Sequence, residues 1–405
     1  RVQLCDVVAG CLQRETTIGI FNVRYENLNI WDGESSSQRQ GALVVSDGIF
    51  VSESTDPDDQ VRDMNGLFAI PGLIDAHVHM CLDPELKDPL QQTVPGKEKV
   101  TEDIRKRAAK MVRAGITSAR DLGGGEYLEL DVRDEIAAGK TLGPRLVCAG
   151  QPITSVGGHC HFWGGEANGD DEAVAVLERQ RAKGVDLIKM MVTGGNITPG
   201  SRPVDSQFED QTVTNVVALA KQYGFHVAAH CHGTDGIRQA ASAGVTTVEH
   251  CSWVGESGWG KTFDTAVVSL MVNNGVWVSP TINAGWKRFT QKDFTAMVQQ
   301  NYRNMKEAGV RLIASTDAGI PNVFHHDLPR ALPVFAHFAG LSAEEVLRAA
   351  TSDCAEAIGL GGITGLIRPG YSADFVLYEE DPLINLKVLE KPFMVVSRGR
   401  EIQPG

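Results

Sequence analysis

Phe68-Ala69-Ile70-Pro71-Gly72-Leu73-Ile74-Asp75-Ala76-His77-Val78-His79-Met80 is an apolar run that ends on two histidines one residue apart. Side chains alternate faces along a strand, so His77 and His79 share a face and can offer two imidazoles to one ion or one ion pair. Alone, a His-x-His pair is a weak pointer to metal. Its meaning depends on what the later apolar runs present at their ends.

Seven more β-like runs follow at residues 116–120, 145–149, 186–192, 225–229, 245–249, 276–280 and 310–315, which with 68–76 makes eight. Between them lie helix-like segments at 101–114, 171–183, 210–223, 234–243, 263–274 and 291–308, each followed by a glycine suited to a helix C-terminus. Strand, helix, glycine, strand, repeated to a count of eight, is the pattern of an α/β fold of the (β/α)8 TIM-barrel type, although a doubly wound open sheet gives similar local signals. The two ends differ from the middle. Short strand-like runs separated by polar turns occur at 18–21, 28–30, 41–45 and 48–51, and again at 373–377 and 393–396. Neither end can bury an apolar face by itself. The sequence therefore predicts a small β-sandwich-like domain made from both chain ends, 18–66 plus 365–405, beside a barrel spanning 67–364.

The chain of 405 residues is 42% hydrophobic and 22% charged, enough to bury a large core. Its formal net charge of −13 and the lack of a Lys/Arg-rich run argue against nucleic acid and toward a small-molecule substrate. No apolar stretch reaches the roughly 18 to 20 residues of a membrane span, so no membrane partner is expected. The start at Arg1 shows no basic segment followed by an apolar one, but without an initiator Met a removed leader stays open. Eight scattered cysteines with no Cys-x-x-Cys pair suggest reduced thiols in a cytoplasmic protein. A homo-oligomer stays open, since an interface need not differ in composition from other surface.

In a barrel the functional face lies at the C-terminal ends of the strands. Lys189 sits inside Leu187-Ile188-Lys189-Met190-Met191-Val192, where an unpaired amine is costly to bury. His230 and His232 end the fifth run in His230-Cys231-His232-Gly233, His250 ends the sixth, and Asp317 ends the eighth in Ser315-Thr316-Asp317. Cys231 and Cys251 neighbour these residues but point to the other face, and read as core thiols. Two cations a few ångströms apart lower the pKa of a bridging water toward neutrality and polarise a carbonyl. A carboxylate beside them, Asp317, can take the proton of the attacking hydroxide and return it to a leaving amine. Nitrogen and oxygen ligands without thiolate favour Zn2+, with manganese, cobalt or iron also accommodated.

The order His-x-His, Lys, His, His, Asp resembles the amidohydrolase superfamily in its binuclear metal form. Ala69-Ile70-Pro71-Gly72-Leu73-Ile74-Asp75-Ala76-His77-Val78-His79 is similar to its strand-one signature, and Pro369-Gly370-Tyr371-Ser372-Ala373-Asp374-Phe375-Val376 to its C-terminal β-domain. The resemblance implies two divalent metal ions bridged by Lys189 carboxylated by CO2, one ion held with His77, His79 and Asp317, the other with His230 and His250. His230 stands at the family's strand-five ligand position, which leaves His232 to contact substrate. Further substrate contacts are expected from the loop histidines His159 and His161, from His325 in His325-His326, and from Arg202, whose guanidinium can pair with a carboxylate.

Thr193-Gly194-Gly195, Pro199-Gly200-Ser201 and His230-Cys231-His232-Gly233 resemble the branch of metal-dependent dipeptidases that act on Xaa-Pro or other C-terminal residues and of amidases of N-acyl amino acids. The expectation is hydrolysis of an amide bond in a dipeptide or N-acyl amino acid. Its rivals are an imidazolonepropionase-like opening of a cyclic amide, against which Lys189 argues, an ester or lactone hydrolase, and a non-catalytic metal-binding scaffold.

Overall fold

The computed structural model describes residues 22–52, 60–88, 91–92 and 95–405. The run expected at 18–21, and Cys5 and Cys11, lie outside them. The chain starts with β1 (Val23–Ile30), which pairs antiparallel with β2 (Arg39–Ser46). A two-residue turn at Asp47-Gly48, both left-handed, returns β3 (Ile49–Val51) along β2. Parallel to β1 run β4 (Gln60–Asp63) and β5 (Phe68–Pro71).

The apolar run at 68–76 does not stay one strand. It divides at Gly72 into β5, which stays with the N-terminal sheet, and β6 (Leu73–Val78), which pairs parallel with β7 (Ile116–Asp121). The physical cause is crowding at the crossing point. A Cβ on residue 72 would stand 2.1 Å from Thr117 Oγ1, and the Gly72 N–H donates to the Asp374 carbonyl at 2.9 Å. Only a bare backbone passes between those two neighbours.

Next come β8 (Arg145–Cys148), parallel to β7, the short pair β9 (Thr154–Ser155) and β10 (Glu166–Ala167), and then the parallel series β11 (Leu187–Met191), β12 (His226–Gly233), β13 (Thr247–Val254) and β14 (Trp277–Ser279). Two seams join the series β6-β7-β8 and β11-β12-β13-β14 into a ring. At one, Asp186 N–H donates to Cys148 O at 2.8 Å. At the other, the expected strand 310–315 makes no continuous ladder but bridges both sides: Val278 N–H donates to Arg311 O and Ala76 N–H to Ala314 O, at 2.9 and 3.1 Å. Helices such as Lys97–Arg113, Asp170–Lys183, Asp210–Gln222, Thr234–Ala243 and Lys292–Ala308 separate the staves, close to the expected bounds. Their apolar sides share one large core with outward stave residues such as Ile188, Met190, Ala229 and Val248. Inside the ring Ile74, Ala76, Leu187, Ala228 and Ile313 pack together, with the helix Ser352–Ala357 stacked against them.

Finally β15 (Phe375–Tyr378) pairs antiparallel with β5, followed by β16 (Met394–Ser397) and β17 (Arg400–Ile402). Both chain ends thus enter one eight-stranded sheet. It rolls over on itself, so that Phe50 of β3 and Phe375 of β15 lie 5.8 Å apart between ring centroids, with Tyr25 edge-on to Phe375 at 5.3 Å.

Asp374 fastens this sheet to the ring. Its buried carboxylate pairs with Arg145 of β8 at 3.0 Å and accepts from Thr364 Oγ1 and the Arg398 N–H at 2.8 and 2.7 Å. Burial opposes its ionisation, but Arg145 and these donors hold the carboxyl below the usual range. Replacing Asp374 by Ala should cost about 3–5 kcal/mol in urea unfolding, because it strands the Arg145 charge. A lowered folded pKa gives stability that is full above about pH 4 and fades as pH falls through the folded value, so the gap between wild type and D374A should narrow in acid.

Candidate metal centre

Side chains at the C-terminal ends of the parallel staves converge in two groups. His77, His79 and Asp317 form one, with ligand atoms within 4.8 Å of one another, and His230, His232 and His250 form the other. His77 Nε2 stands 3.3 Å from His79 Nε2, and both face Asp317 Oδ1 at 3.2 and 3.4 Å. The groups adjoin: the His77 and His250 rings are 5.2 Å apart, and those of His232 and His250 stack at 4.5 Å. A register shift in the β6–β7 ladder between Asp75 and Val78 falls where the histidines begin. His250 and Asp317 both sit in left-handed backbone, at φ 65° and 62°. Such strain in non-glycine residues costs of order 1–3 kcal/mol each and gathers at functional sites.

Each imidazole is fixed by a hydrogen bond from its other side. Carbonyl and carboxylate oxygens only accept, so His77 Nδ1–H donates to Glu249 Oε2 and His79 Nδ1–H to Gly123 O, both at 2.9 Å, while His230 Nε2–H donates to Gly194 O at 3.1 Å. The second nitrogen of each is the one left to a metal ion. His232 Nδ1 meets Ser252 Oγ at 2.9 Å and His250 Nδ1 meets Thr281 Oγ1 at 2.8 Å. Burial, then neighbouring positive groups, keep His230 and His250 well below their ordinary pKa, so both are neutral at pH 7. Asp317 is pulled the other way: burial opposes ionisation, but His77 and His79 hold it well below the carboxylate range.

Lys189, on β11, is 1% exposed and lies in the field of two carboxylates, Glu249 and Asp317. Burial depresses its pKa, opposed by Glu249 and Asp317. A buried amine amid imidazoles is unfavourable as a cation and fits a site that would convert it to an anion. Two sets of acceptors beside such an amine suit two divalent ions.

The other expected contacts separate. His159 is buried with its ring 4.6 Å from His230 and its Nδ1 unpartnered. Burial pushes its pKa down to about 3, so it is neutral. His161 stands apart, 41% exposed and 4.0 Å from Glu166. Arg202 pairs with Glu256 and Asp205 of its own chain at 2.9 and 3.6 Å. His325 lies behind the site, where Nε2–H donates to His79 O at 3.0 Å. His232 falls within the second ligand group, beside His230. Cys231 and Cys251 are buried and belong to neither group.

Sequence reasoning missed Glu249 and Arg120. Glu249 accepts from His77, from Thr247 Oγ1 at 2.5 Å and from Arg120 Nη2 at 2.8 Å, and both charged residues are buried. Burial opposes its ionisation, but Arg120 and His77 hold it well below the carboxylate range. The available signal was an acid and a base in two apolar runs, each needing a partner, with no spacing to connect them.

Residues 68–404 match the amidohydrolase family, and the chain belongs to it: the protein is a metal-dependent amidohydrolase acting on small molecules. Membership and structural likeness imply a TIM barrel with a small added domain. Among its relatives, ochratoxinase of Aspergillus niger is 25% identical over 92% of this chain and 85% of that one. Imidazolonepropionase of Symbiobacterium thermophilum is 22% identical over 93% of each. A solved Xaa-Pro dipeptidase with methionine in its active site is 26% identical, covers 94% of this chain and 99% of its own, and superposes with a TM-score of 0.79.

Glu249→Gln keeps the side-chain volume but removes the charge that orients His77. Chelator competition should then show zinc affinity weakened by about 10–100-fold; unchanged affinity would mean that Glu249 does not support the ligand.

Proposed function

We propose that the protein hydrolyses an amide bond in a dipeptide, Xaa-Pro or another C-terminal pair, or in an N-acyl amino acid. The observation that carries this reading is the pair of three-residue ligand groups converging beside the buried Lys189. In this reading His77, His79 and Asp317 hold one Zn2+, His230 and His250 the other, and His232 either completes that set or meets substrate. Lys189 in its un-ionised form would add to CO2 and release a proton to solvent, and the resulting N-carboxylate would serve as an anionic oxygen ligand for the ions. When bound, the ions supply Lewis acidity, which polarises the amide carbonyl and eases deprotonation of water. Asp317 accepts the proton of the attacking water and delivers it to the departing amine nitrogen. In this reading His159, neutral and next to His230, would hydrogen-bond the substrate. A substrate carboxylate would have to compete with Glu256 for Arg202. His325 braces the His79 backbone, and His161 lies toward solvent.

The likeness to a Xaa-Pro dipeptidase supports the substrate class. We assign the barrel to 67–364, with β5 at its margin joined to the other domain, 18–66 plus 365–405. Six described cysteines without disulfides support a reducing, cytoplasmic setting. Among the described residues no helix is long and apolar enough to cross a membrane.

The test is a library of dipeptides and N-acyl amino acids offered to protein reconstituted with zinc and bicarbonate. We expect at least one class to be turned over with kcat/KM above about 10⁴ M⁻¹s⁻¹. Lys189→Ala should lose most bound zinc by elemental analysis and at least about 10³-fold in kcat. Full zinc loading with no amide cleaved would defeat the proposal.

A further inference from the structure

Trp259 is 39% exposed, an unusual place for the largest apolar side chain, and it lies beside the centre: its ring is 5.0 Å from that of His232, inclined at 71°. Its loop is tied down on both sides. Gly255 and Gly258 exchange backbone hydrogen bonds at 3.3 and 2.9 Å, Gly260 N–H donates to Ser252 O at 3.0 Å, and Asn301 Nδ2 donates to Gly260 O at 2.8 Å. Ser252 in turn holds His232 through its hydroxyl. The indole is thus mounted on the frame that fixes a residue of the second ligand group, with over a third of its surface turned to solvent.

Beside His79 the space is filled. There Trp163 packs 5.3 Å from His79 and is buried, and the adjoining niche beneath Phe162, Ile197 and Ile320 has a volume of only about 10 Å³. That is room for about one water molecule. A bulky group on the substrate therefore meets filled space beside His79 and an open aromatic surface beside His232.

We propose that Trp259 is the specificity-determining surface of the site, taking the larger apolar group flanking the scissile amide, with planar groups preferred because they stack or meet edge-on with the indole. The assignment rests on the amide-hydrolase reading above and adds to it the substrate class: amides carrying an aromatic or large aliphatic substituent.

The test compares N-acetyl-L-phenylalanine with N-acetylglycine by calorimetry on the zinc-loaded protein, then Gly-Phe and Phe-Gly with Gly-Gly in kinetics. Wild type should favour the phenylalanine compound about tenfold or more, the scale of a favourable aromatic contact. Trp259→Ala should bring the binding ratio near one and raise KM for the preferred aromatic dipeptide with little change in kcat, and Trp259→Phe should retain most of the preference. No preference in wild type, the same ratio in Trp259→Ala, or equal losses for both ligands, as from a structural role, would overturn the proposal. If the binding ratio follows residue 259 while neither a dipeptide nor an N-acyl amino acid is cleaved, the amide reading fails and the specificity surface stands.

Discussion

A single buried charge pair organises the inside of the ring. Arg120 reaches from β7, donating through Nε to Ala76 O at 2.7 Å, through Nη1 to Thr247 Oγ1 at 3.0 Å and through Nη2 to Glu249 at 2.8 Å. Glu249 uses its other oxygen to orient His77. Either charge would be costly to bury unpaired; with nearly every donor and acceptor paired, they hold staves β6, β7 and β13 in one register and orient a ligand.

This arrangement separates two demands that would otherwise conflict. The base of the ring is filled by Ile74, Leu187 and Ala228, whose packing stabilises the fold. One layer higher, the stave ends carry groups that a hydrophobic core rejects: clustered imidazoles, an aspartate and the buried Lys189. Left-handed backbone at His250 and Asp317 belongs to that layer, where function and not stability sets the geometry. The end sheet, pinned through Asp374 and Arg145, supports the ring from outside the site.

Much of the centre was legible because polar residues in apolar runs are conspicuous. His77-Val78-His79, Lys189, His250 and Asp317 each break a hydrophobic run at its end. The choice between His230 and His232 was not legible, since residues two apart share a strand face and the chain folds both into one group. His325 and Arg202 look like available polar groups in the sequence, but their partners, His79 O and Glu256, come from distant segments. Glu249 with Arg120 lies beyond pattern reading for the same reason, as does Trp259, whose exposure depends on how its loop is tied.

The sequence by itself determined the alternation of strands and helices, the joining of two β-rich ends and the chemical types gathered at the stave ends, because periodicity and composition are local properties. Only the tertiary structure decided that the first apolar run divides at Gly72, where Thr117 leaves no room for a side chain, and that the last stave is held by a few bridges. It alone decided which nitrogen of each histidine is free, because a tautomer is set by the acceptor on its other side. It also left Trp259 exposed beside His232 while Trp163 is buried against His79, a difference that arises from packing between loops far apart in the chain.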